Sequence, residues 1–128
     1  MAKGIKDLLA EAEAVVTSTN AAEAARLLND EDAAFVDLRD VREVAREGRI
    51  PGSVHVPRGM LEFWLDPESP YHREIFSSGK RFVFYCNKGW RSALAAKTAQ
   101  EMGLERVSHL SGGFETWRAE GGATEINH

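Results

Sequence analysis

The 128-residue chain has one cysteine, four prolines and no long uninterrupted apolar run. A single cysteine cannot form an intramolecular disulfide, which favours a reducing compartment and leaves one thiol whose role needs explaining. No stretch approaches the ~20 apolar residues that a membrane-spanning helix needs, so we expect no membrane partner. Near the start of the chain, Asp7, Glu11 and Glu13 interrupt any apolar core of a signal peptide, and the sequence therefore predicts a cytoplasmic protein.

The chain also lacks an excess of basic residues. Its 16 lysines and arginines are outnumbered by 20 aspartates and glutamates, which gives a formal net charge of −4. Proteins that bind nucleic acid usually carry a basic surface stripe, so we expect no nucleic-acid partner. The histidines show none of the spacings typical of metal ligands, and the sequence predicts neither a metal site nor a cofactor.

Short apolar segments alternate with amphipathic segments along the chain. The predicted strands begin at residue 15 and then span residues 33–38, 53–56, 82–85 and 106–110, and the predicted helices span residues 4–14, 20–28, 41–47, 60–65, 91–100 and 114–120. Because neighbouring parallel strands need a crossover of about a dozen residues, usually a helix, this alternation predicts an α/β fold. We expect a five-stranded parallel sheet with helices on both faces, plus a short N-terminal helix.

The length suits one domain, and no repeat or low-complexity linker points to a second. We expect a helical extension over residues 1–14, one domain over residues 15–122 and a flexible tail over residues 123–128. Within the domain, the large aromatic side chains of Phe63, Trp64 and Trp117 are predicted to lie in the core.

Residues 81–92, with the sequence RFVFYCNKGWRS, place Cys86 where an apolar strand ends and a glycine-containing loop begins. In parallel sheets ligands bind beyond the carboxyl ends of the strands, which is where this loop is expected to lie. The next predicted helix follows Trp90, with Ser92 as a candidate cap for its first turn. Cys86 is therefore predicted to face the N-terminus of a helix.

The composition of residues 86–91, called the Cys86 loop below, suits the binding of an anion. The five N–H groups from Asn87 to Arg91 can surround the sulfur, Gly89 can adopt a positive φ, and Arg91 adds a full charge. These features stabilise a thiolate, so Cys86 is predicted to be a nucleophile that needs no adjacent base. None of the four histidines neighbours it in sequence, which leaves contact in space open. A cysteine that ends an apolar run is often a buried filler, but the lysine, glycine and arginine that follow favour a functional role.

Three separated stretches of the chain match motifs that occur together in one protein family. Residues 35–39 (FVDLR) and 47–57 (EGRIPGSVHVP) match its amino-terminal signature. Residues 86–92 (CNKGWRS) match its active-site loop, and residues 110–117 (LSGGFETW) match its carboxyl-terminal signature. On these residues the chain resembles the single-domain rhodaneses, a family of sulfurtransferases. One stretch alone would be a weak signal, whereas three in the family's order are specific.

The resemblance implies a parallel five-stranded sheet flanked by helices and a two-step sulfur transfer centred on Cys86. The thiolate would take sulfur from a small anionic donor such as thiosulfate and hold it as a persulfide. A thiol or cyanide acceptor, with a thioredoxin-like protein as one candidate, would then remove that sulfur. The residues matched to substrate binding are Asn87, Lys88, Gly89, Trp90 and Arg91, and those matched to support of the loop are Asp37, Arg39 and Ser92. Asp37, at a strand end, is expected to accept hydrogen bonds from N–H groups of the loop.

The sequence departs from the family's pattern at two positions. Arg49 stands where many members have a histidine, and Asn87 follows Cys86 where many thiosulfate-using members have a basic residue. The resemblance therefore predicts the chemistry more closely than the identity of the donor. Two roles also stay open, because Trp90 can form a pocket wall or pack on the neighbouring helix, and Lys88 can contact substrate or remain a solvated surface cation.

Two other functions fit parts of the same pattern. Cysteine phosphatases and arsenate reductases also combine a thiolate, a main-chain anion site and an arginine, but as families they place five residues between the cysteine and the arginine. Four residues separate Cys86 from Arg91, and a tighter loop suits a single sulfur atom better than a tetrahedral oxyanion. The other alternative is a persulfide carrier or regulatory module that serves a specific protein, for which residues 60–64 are a candidate apolar docking surface.

Overall fold

The computed structural model describes residues 2–126. In chain order the elements are α1 (Ile5–Val15), β1 (Thr17–Thr19), α2 (Ala21–Leu27), β2 (Ala33–Asp37), α3 (Val41–Glu47), β3 (Val54–His55), α4 (Leu61–Leu65), β4 (Arg81–Tyr85), α5 (Trp90–Glu101), β5 (Val107–Leu110) and α6 (Gly113–Ala119). Short 3₁₀ turns at Arg58–Met60 and Glu74–Ser77 lie on either side of α4. Among the described residues, no helix is both long enough and apolar enough to span a bilayer.

The five strands form one parallel sheet in the order β1-β5-β4-β2-β3, which confirms the predicted fold class. The central strand β4 pairs with β2 on one side and with β5 on the other. Asp37 lies opposite Tyr85, and Phe84 lies opposite His109, so the carboxyl ends of these three strands are side by side. The segments that follow the three strands therefore meet at one edge of the sheet.

Helices cover both faces of the sheet, as predicted. Alternate residues of β4 point to opposite faces, so Phe82 and Phe84 join a core that includes α4 and α5. Val83 and Tyr85 join a second core that includes α2 and α6. In that second core Trp117 is only 1% exposed, which confirms its predicted burial.

Phe63 contradicts the prediction that it lies in the core, because its side chain is 53% exposed. The five-residue helix α4 instead presents Leu61 and Leu65 to the first core. These two leucines are four positions apart and share one face of the helix, whereas a residue midway between them lies on another face. Because four of the five residues of this helix are apolar, the sequence did not show which of them face the core.

The first turn of α5 also differs from its prediction. Ser92 does not cap it, because Gly89 occupies the N-cap position with φ +105° and Ser92 is buried inside the helix. The first N–H groups of a helix have no acceptor within the helix, and no side chain among residues 2–126 caps them here. The N-terminus of α5 is therefore open to an anion.

A buried ion pair connects the end of β2 to α3 and α6. Nε and Nη2 of Arg39 donate to the two carboxylate oxygens of Asp37 at 3.0 and 2.7 Å, and Nη2 also donates to the carbonyl of Gly48 at 2.7 Å. The guanidinium lies 4.4 Å from the ring centroid of Phe114. Because Arg39 is fully buried, the ion pair and these contacts must together replace the water that both charges lose.

The segment after α6 returns to the domain at Arg49. The backbones of Arg49 and Glu125 exchange two hydrogen bonds of 2.9 Å, and Nη2 of Arg49 lies 2.7 Å from the Glu125 carboxylate. The predicted flexible tail of residues 123–128 thus contains an anchored residue, and its last two residues lie outside the described part. Arg49, the arginine that stands where many family members have a histidine, therefore anchors this segment through Glu125.

The variant Arg39→Leu should lower the free energy of unfolding by about 3–5 kcal/mol, because it leaves the carboxylate of Asp37 buried without its partner. The double variant Asp37→Leu/Arg39→Leu should be more stable than this single variant, since it buries no charge. Arg106→Leu removes an exposed ion pair with Asp32 and is the matched control, with an expected loss of at most about 1 kcal/mol. Urea unfolding measures each loss, and equal losses for the two single variants would contradict this role of Arg39.

Candidate active site

Cys86 directly follows β4 and is 1% exposed. It forms the floor of a cleft of about 260 Å³ that is also lined by Asn87, Lys88, Trp90 and Arg91. The structure thus brings these predicted substrate-binding residues together around the sulfur. Trp90 is 62% exposed, so it forms a wall of the cleft and is not packed inside the domain.

The start of α6 fixes the Cys86 loop through two main-chain hydrogen bonds. The N–H of Phe114 donates to the carbonyl of Cys86 at 2.8 Å, and the N–H of Glu115 donates to the carbonyl of Asn87 at 3.0 Å. Gly113 permits this close approach, because a Cβ at that position would lie only 2.4 Å from the carbonyl oxygen of Asn87. Two carbonyl groups of the loop are thereby turned towards α6.

The sulfur of Cys86 has two hydrogen-bonding neighbours. The N–H of Gly89 donates to Sγ at 3.2 Å, and Sγ lies 3.6 Å from the hydroxyl oxygen of Ser92. Of the five main-chain N–H groups that the sequence placed around the sulfur, Gly89 supplies the one that donates to it in the described structure. Ser92 is a residue of the site, but it acts beside the sulfur and not as a helix cap.

His109 is a site residue that sequence reasoning did not identify. Its Nδ1 lies 3.4 Å from the hydroxyl of Ser92, and its Nε2 lies 3.3 Å from the hydroxyl of Ser18. The side chain is buried, and this burial lowers the pKa of His109, with a smaller opposing effect from Glu13. The strand order could have indicated this residue, because β5 is next to β4 and its carboxyl end therefore lies beside the Cys86 loop.

Arg91 does not present a full unpaired charge to the sulfur, which corrects the prediction. Its Nη1 and Nη2 donate to the two carboxylate oxygens of Glu43 at 2.6 and 2.9 Å. This hydrogen bonding is the main reason that the pKa of Glu43 falls to about 2 and that the pKa of Arg91 is raised. The Cys86 group makes a smaller contribution to the raised pKa of Arg91. Nothing in the sequence marked Glu43 as the partner, because the contact joins α3 to α5.

Asp37 does not accept hydrogen bonds from the Cys86 loop, contrary to expectation. Both of its oxygens bind the Arg39 side chain, and one also accepts the Arg39 main-chain N–H at 3.1 Å. Arg39 reaches the loop indirectly, through its contact with Phe114, whose N–H holds the Cys86 carbonyl. No group of three or more His, Cys, Asp or Glu side chains within residues 2–126 is placed to hold a metal ion.

Comparison with known proteins identifies the family. Residues 20–120 match the sequence profile of the Rhodanese-like domain. The chain belongs to the rhodanese-like family. The resemblance carried by the three sequence motifs is therefore confirmed.

Two curated relatives have sulfurtransferase names. The chain is 32% identical to thiosulfate sulfurtransferase/rhodanese-like domain-containing protein 3 of Mus musculus, over 71% of this chain and 61% of the mouse protein. It is 30% identical to thiosulfate:glutathione sulfurtransferase of Homo sapiens, over 71% of this chain and 84% of the human protein. The match thus spans less than two thirds of the mouse protein and most of the human one.

Solved structures share the fold. A protein of unknown function from Rhodopseudomonas palustris, described as a possible tyrosine phosphatase, is 52% identical with a TM-score of 0.94 over 98% of this chain and 96% of its own. A rhodanese-related protein from Thermoplasma volcanium is 24% identical with a TM-score of 0.72, over 87% of this chain and 99% of its own.

The variant Gly113→Ala should displace the Cys86 loop, because its Cβ would approach the carbonyl oxygens of Asn87 and Cys86 to 2.4 and 2.7 Å. We expect a loss of about 2–4 kcal/mol in unfolding free energy, from left-handed strain plus this clash, and slower alkylation of Cys86. Gly121→Ala is the matched control, since Gly121 has φ +83° and, apart from its two chain neighbours, no described residue has an atom within 4 Å of the point that its Cβ would occupy. It should lose only about 1–2 kcal/mol and keep the alkylation rate. Equal effects of the two variants would contradict the proposed contact between loop and helix.

The variant Glu43→Gln should reduce stability at pH 7 by about 1 kcal/mol, a value that allows for the partial exposure of Arg91. The pKa of Glu43 is lowered in the folded protein, so the ionised carboxylate stabilises the fold above its ordinary pKa of 4.5, and this contribution is lost as the pH falls towards about 2. The stability difference between wild type and variant should therefore narrow between pH 7 and pH 3. Urea unfolding at both pH values tests this, and a constant difference would contradict it.

Proposed function

We propose that this protein is a sulfurtransferase that moves a sulfane sulfur from a small anionic donor, such as thiosulfate, to a thiol or cyanide acceptor through a persulfide on Cys86. The observation that carries the proposal is the hydrogen bond of 3.2 Å from the Gly89 N–H to the Cys86 sulfur at the N-terminus of α5. A main-chain donor and a helix N-terminus both stabilise negative charge on a cysteine sulfur.

In the first step the Cys86 thiolate attacks the outer sulfur of thiosulfate. The S–S bond of the donor breaks, sulfite leaves with the bonding electron pair, and a persulfide anion forms on Cys86. Three negative charges enter the step and three leave it, so no external oxidant or reductant is required. The cleft of about 260 Å³ above the sulfur is of a size that suits a donor of a few atoms.

In the second step an acceptor nucleophile attacks the terminal sulfur of the persulfide. The S–S bond breaks, the acceptor keeps the transferred sulfur, and Cys86 leaves as a thiolate that can start another cycle. The open first turn of α5 offers N–H groups to the charge on the persulfide. These groups are fixed in the fold before the reaction begins, which is how such sites stabilise a developing charge without reorganisation.

Donor binding relies on few free cations. Lys88 is an exposed residue of the cleft, whereas the charge of Arg91 is balanced by Glu43. Asn87 contributes a neutral amide at the position where many thiosulfate-using rhodaneses have a base. We therefore propose that Lys88 and the N-terminus of α5 attract the donor. Other sulfane donors should be tested alongside thiosulfate.

The exposed Trp90 favours a second candidate function, in which the persulfide passes to a specific protein. Trp90 is 62% exposed and lines the cleft above Cys86, and exposed tryptophans are frequent anchors in protein interfaces. A thioredoxin-like protein with an accessible thiol would be a suitable acceptor. In this case small acceptors would be used slowly and the protein acceptor quickly.

Phosphatase activity fits the site less well. Arg91 would have to bind a phosphoryl group, but two of its nitrogens are occupied by the Glu43 carboxylate. The loop also has four residues between Cys86 and Arg91, one fewer than cysteine phosphatases place there. The description of the Rhodopseudomonas palustris protein nevertheless makes a phosphatase substrate a necessary arm of the test.

We further propose that residues 15–122 form the unit that carries the activity, with residues 1–14 as a helical extension. A cytoplasmic location suits the proposed chemistry, because a reducing compartment keeps the single thiol available between reaction cycles. The domain bounds rest on the sequence pattern of the chain, and the proposed location rests on the single reactive thiol.

Incubation of the purified protein with thiosulfate should add one sulfur atom to its intact mass, and Cys86→Ala should abolish this gain because the attacking sulfur is removed. Intact-mass spectrometry measures the gain. Subsequent addition of cyanide, glutathione or a thioredoxin-like protein should return the original mass, and the relative rates separate a small-molecule enzyme from a protein-directed carrier.

The same preparation should not hydrolyse p-nitrophenyl phosphate. The proposal would be wrong if the wild-type mass stayed unchanged with thiosulfate and other sulfane donors while p-nitrophenyl phosphate was hydrolysed in a Cys86-dependent manner. Hydrolysis retained by Cys86→Ala would instead identify a contaminating enzyme.

A further inference from the structure

A chain of hydrogen-bonding groups leads from the buried Cys86 to the exposed Ser18. Sγ of Cys86 lies 3.6 Å from Oγ of Ser92, which lies 3.4 Å from Nδ1 of His109. On the far side of the imidazole, Nε2 of His109 lies 3.3 Å from Oγ of Ser18. The chain connects the end of β4, the first turn of α5, and the strands β5 and β1.

The donors along this chain can all point the same way. The Cys86 sulfur accepts the Gly89 N–H, and its own S–H group can donate to the Ser92 oxygen. The Ser92 hydroxyl can then donate to Nδ1 of His109, while the N–H at Nε2 donates to Ser18. This arrangement is what transfer of a proton away from the sulfur requires.

The chain ends at a second cleft, distinct from the one above the sulfur. Ser18 and His109 line this cleft of about 280 Å³, and Glu13 and Lys88 are the charged residues that line it with them. Lys88 and Trp90 line both clefts and so stand between them. A proton that reaches His109 therefore has an exit to solvent that does not pass through the donor cleft.

The burial of Ser92 and His109 is unfavourable in free energy, because both side chains are polar. Ser92 is fully buried and His109 is 6% exposed. Burial of a hydroxyl and an imidazole costs free energy that hydrogen bonds only offset, and a pair of apolar side chains would avoid this cost. Their joint placement beside the single thiol points to chemistry.

We propose that His109, acting through Ser92, removes the proton of Cys86 before the sulfur attacks, which forms the thiolate that starts the reaction, and releases this proton into the second cleft. His109 is in this account a positioning residue, since it touches Ser92 and not the reacting sulfur. The inference deepens the proposed sulfur transfer and rests on it for the identity of the sulfur donor, but the removal of the proton does not depend on which electrophile Cys86 attacks.

The proton step balances without any redox partner. The S–H bond breaks and its electron pair stays on the sulfur, while Ser92 receives that proton and passes its own to Nδ1 of His109. The resulting imidazolium donates to Ser18 from Nε2 and faces the carboxylate of Glu13, with the cation of Lys88 at the same cleft. Loss of the Nε2 proton to solvent leaves a neutral ring, and return of a proton along the same path reverses the step.

His109 is in a suitable state to accept a proton at neutral pH. Burial lowers the pKa of His109 against a smaller opposing effect of Glu13, so the imidazole is neutral at pH 7. A neutral histidine that reaches a nucleophile through one hydroxyl matches the general requirement for a base in hydrogen-bonded contact with the proton it removes.

The test is the pH profile of Cys86 alkylation by iodoacetamide, which needs no sulfur donor. In His109→Gln the side chain can still form hydrogen bonds but cannot take a proton, so alkylation should be at least about tenfold slower at pH 7. In alkaline solution hydroxide removes the proton in place of His109, so the alkylation rates of variant and wild type should converge. Ser92→Ala should show the same profile, and the double variant should be no slower than either single variant.

His72→Gln is the matched control, because His72 bonds to the side chain of Ser77 in a surface segment and takes no part in the chain. Its profile should superimpose on that of the wild type. Profiles of His109→Gln and Ser92→Ala that also superimpose on wild type would overturn the proposal. An equal slowing at every pH would overturn it as well, because it would mean that the two residues only shape the site.

The outcomes separate this inference from the proposed function. If the wild type gains no sulfur from any donor but His109→Gln shows the pH-dependent slowing, the proton path stands and sulfur transfer fails. If the wild type gains sulfur and the alkylation profiles are identical, sulfur transfer stands and the proton path fails. Thermal unfolding of each variant shows whether it is folded, and Ser92→Ala provides the result should His109→Gln fail to fold.

Discussion

The geometry of the site depends on how the Cys86 loop is attached to the start of α6. Two main-chain N–H groups, from Phe114 and Glu115, bind the carbonyls of Cys86 and Asn87, and Gly113 is the residue that allows this contact. With these carbonyls directed towards α6, the N–H of the loop glycine is free to donate to the sulfur. A sulfur so placed at an uncapped helix N-terminus is stabilised as an anion by groups that cannot be titrated.

The charged side chains around the loop are mostly paired, and this determines what they contribute. Arg39 is neutralised by Asp37 in the interior, and Arg91 is neutralised by Glu43 nearer the surface. Both pairs hold elements of the fold in place around the cysteine. The anion therefore depends more on main-chain dipoles than on a free cation. In the proposed proton path, a neutral histidine that reaches Cys86 through Ser92 supplies the base.

Local sequence patterns predicted much of this fold and part of the site. The β-branched and aromatic run before Cys86 predicted a buried strand, and its position at the carboxyl edge of a parallel sheet followed from the alternation of elements. The contacts that were missed join residues far apart in sequence. Glu43 meets Arg91 from another helix, and His109 reaches Ser92 from a neighbouring strand, so neither pairing follows from spacing along the chain. The burial of Ser92 was missed because a serine near a helix start also suits a cap.

A crystal structure of the protein after reaction with thiosulfate would test the central claim most directly. The account predicts additional density for one sulfur atom bonded to Sγ of Cys86, located in the cleft and within hydrogen-bonding distance of main-chain N–H groups at the start of α5. An unmodified Cys86, or an added sulfur that no main-chain N–H approaches, would contradict the claim that the loop is built to hold a sulfur anion.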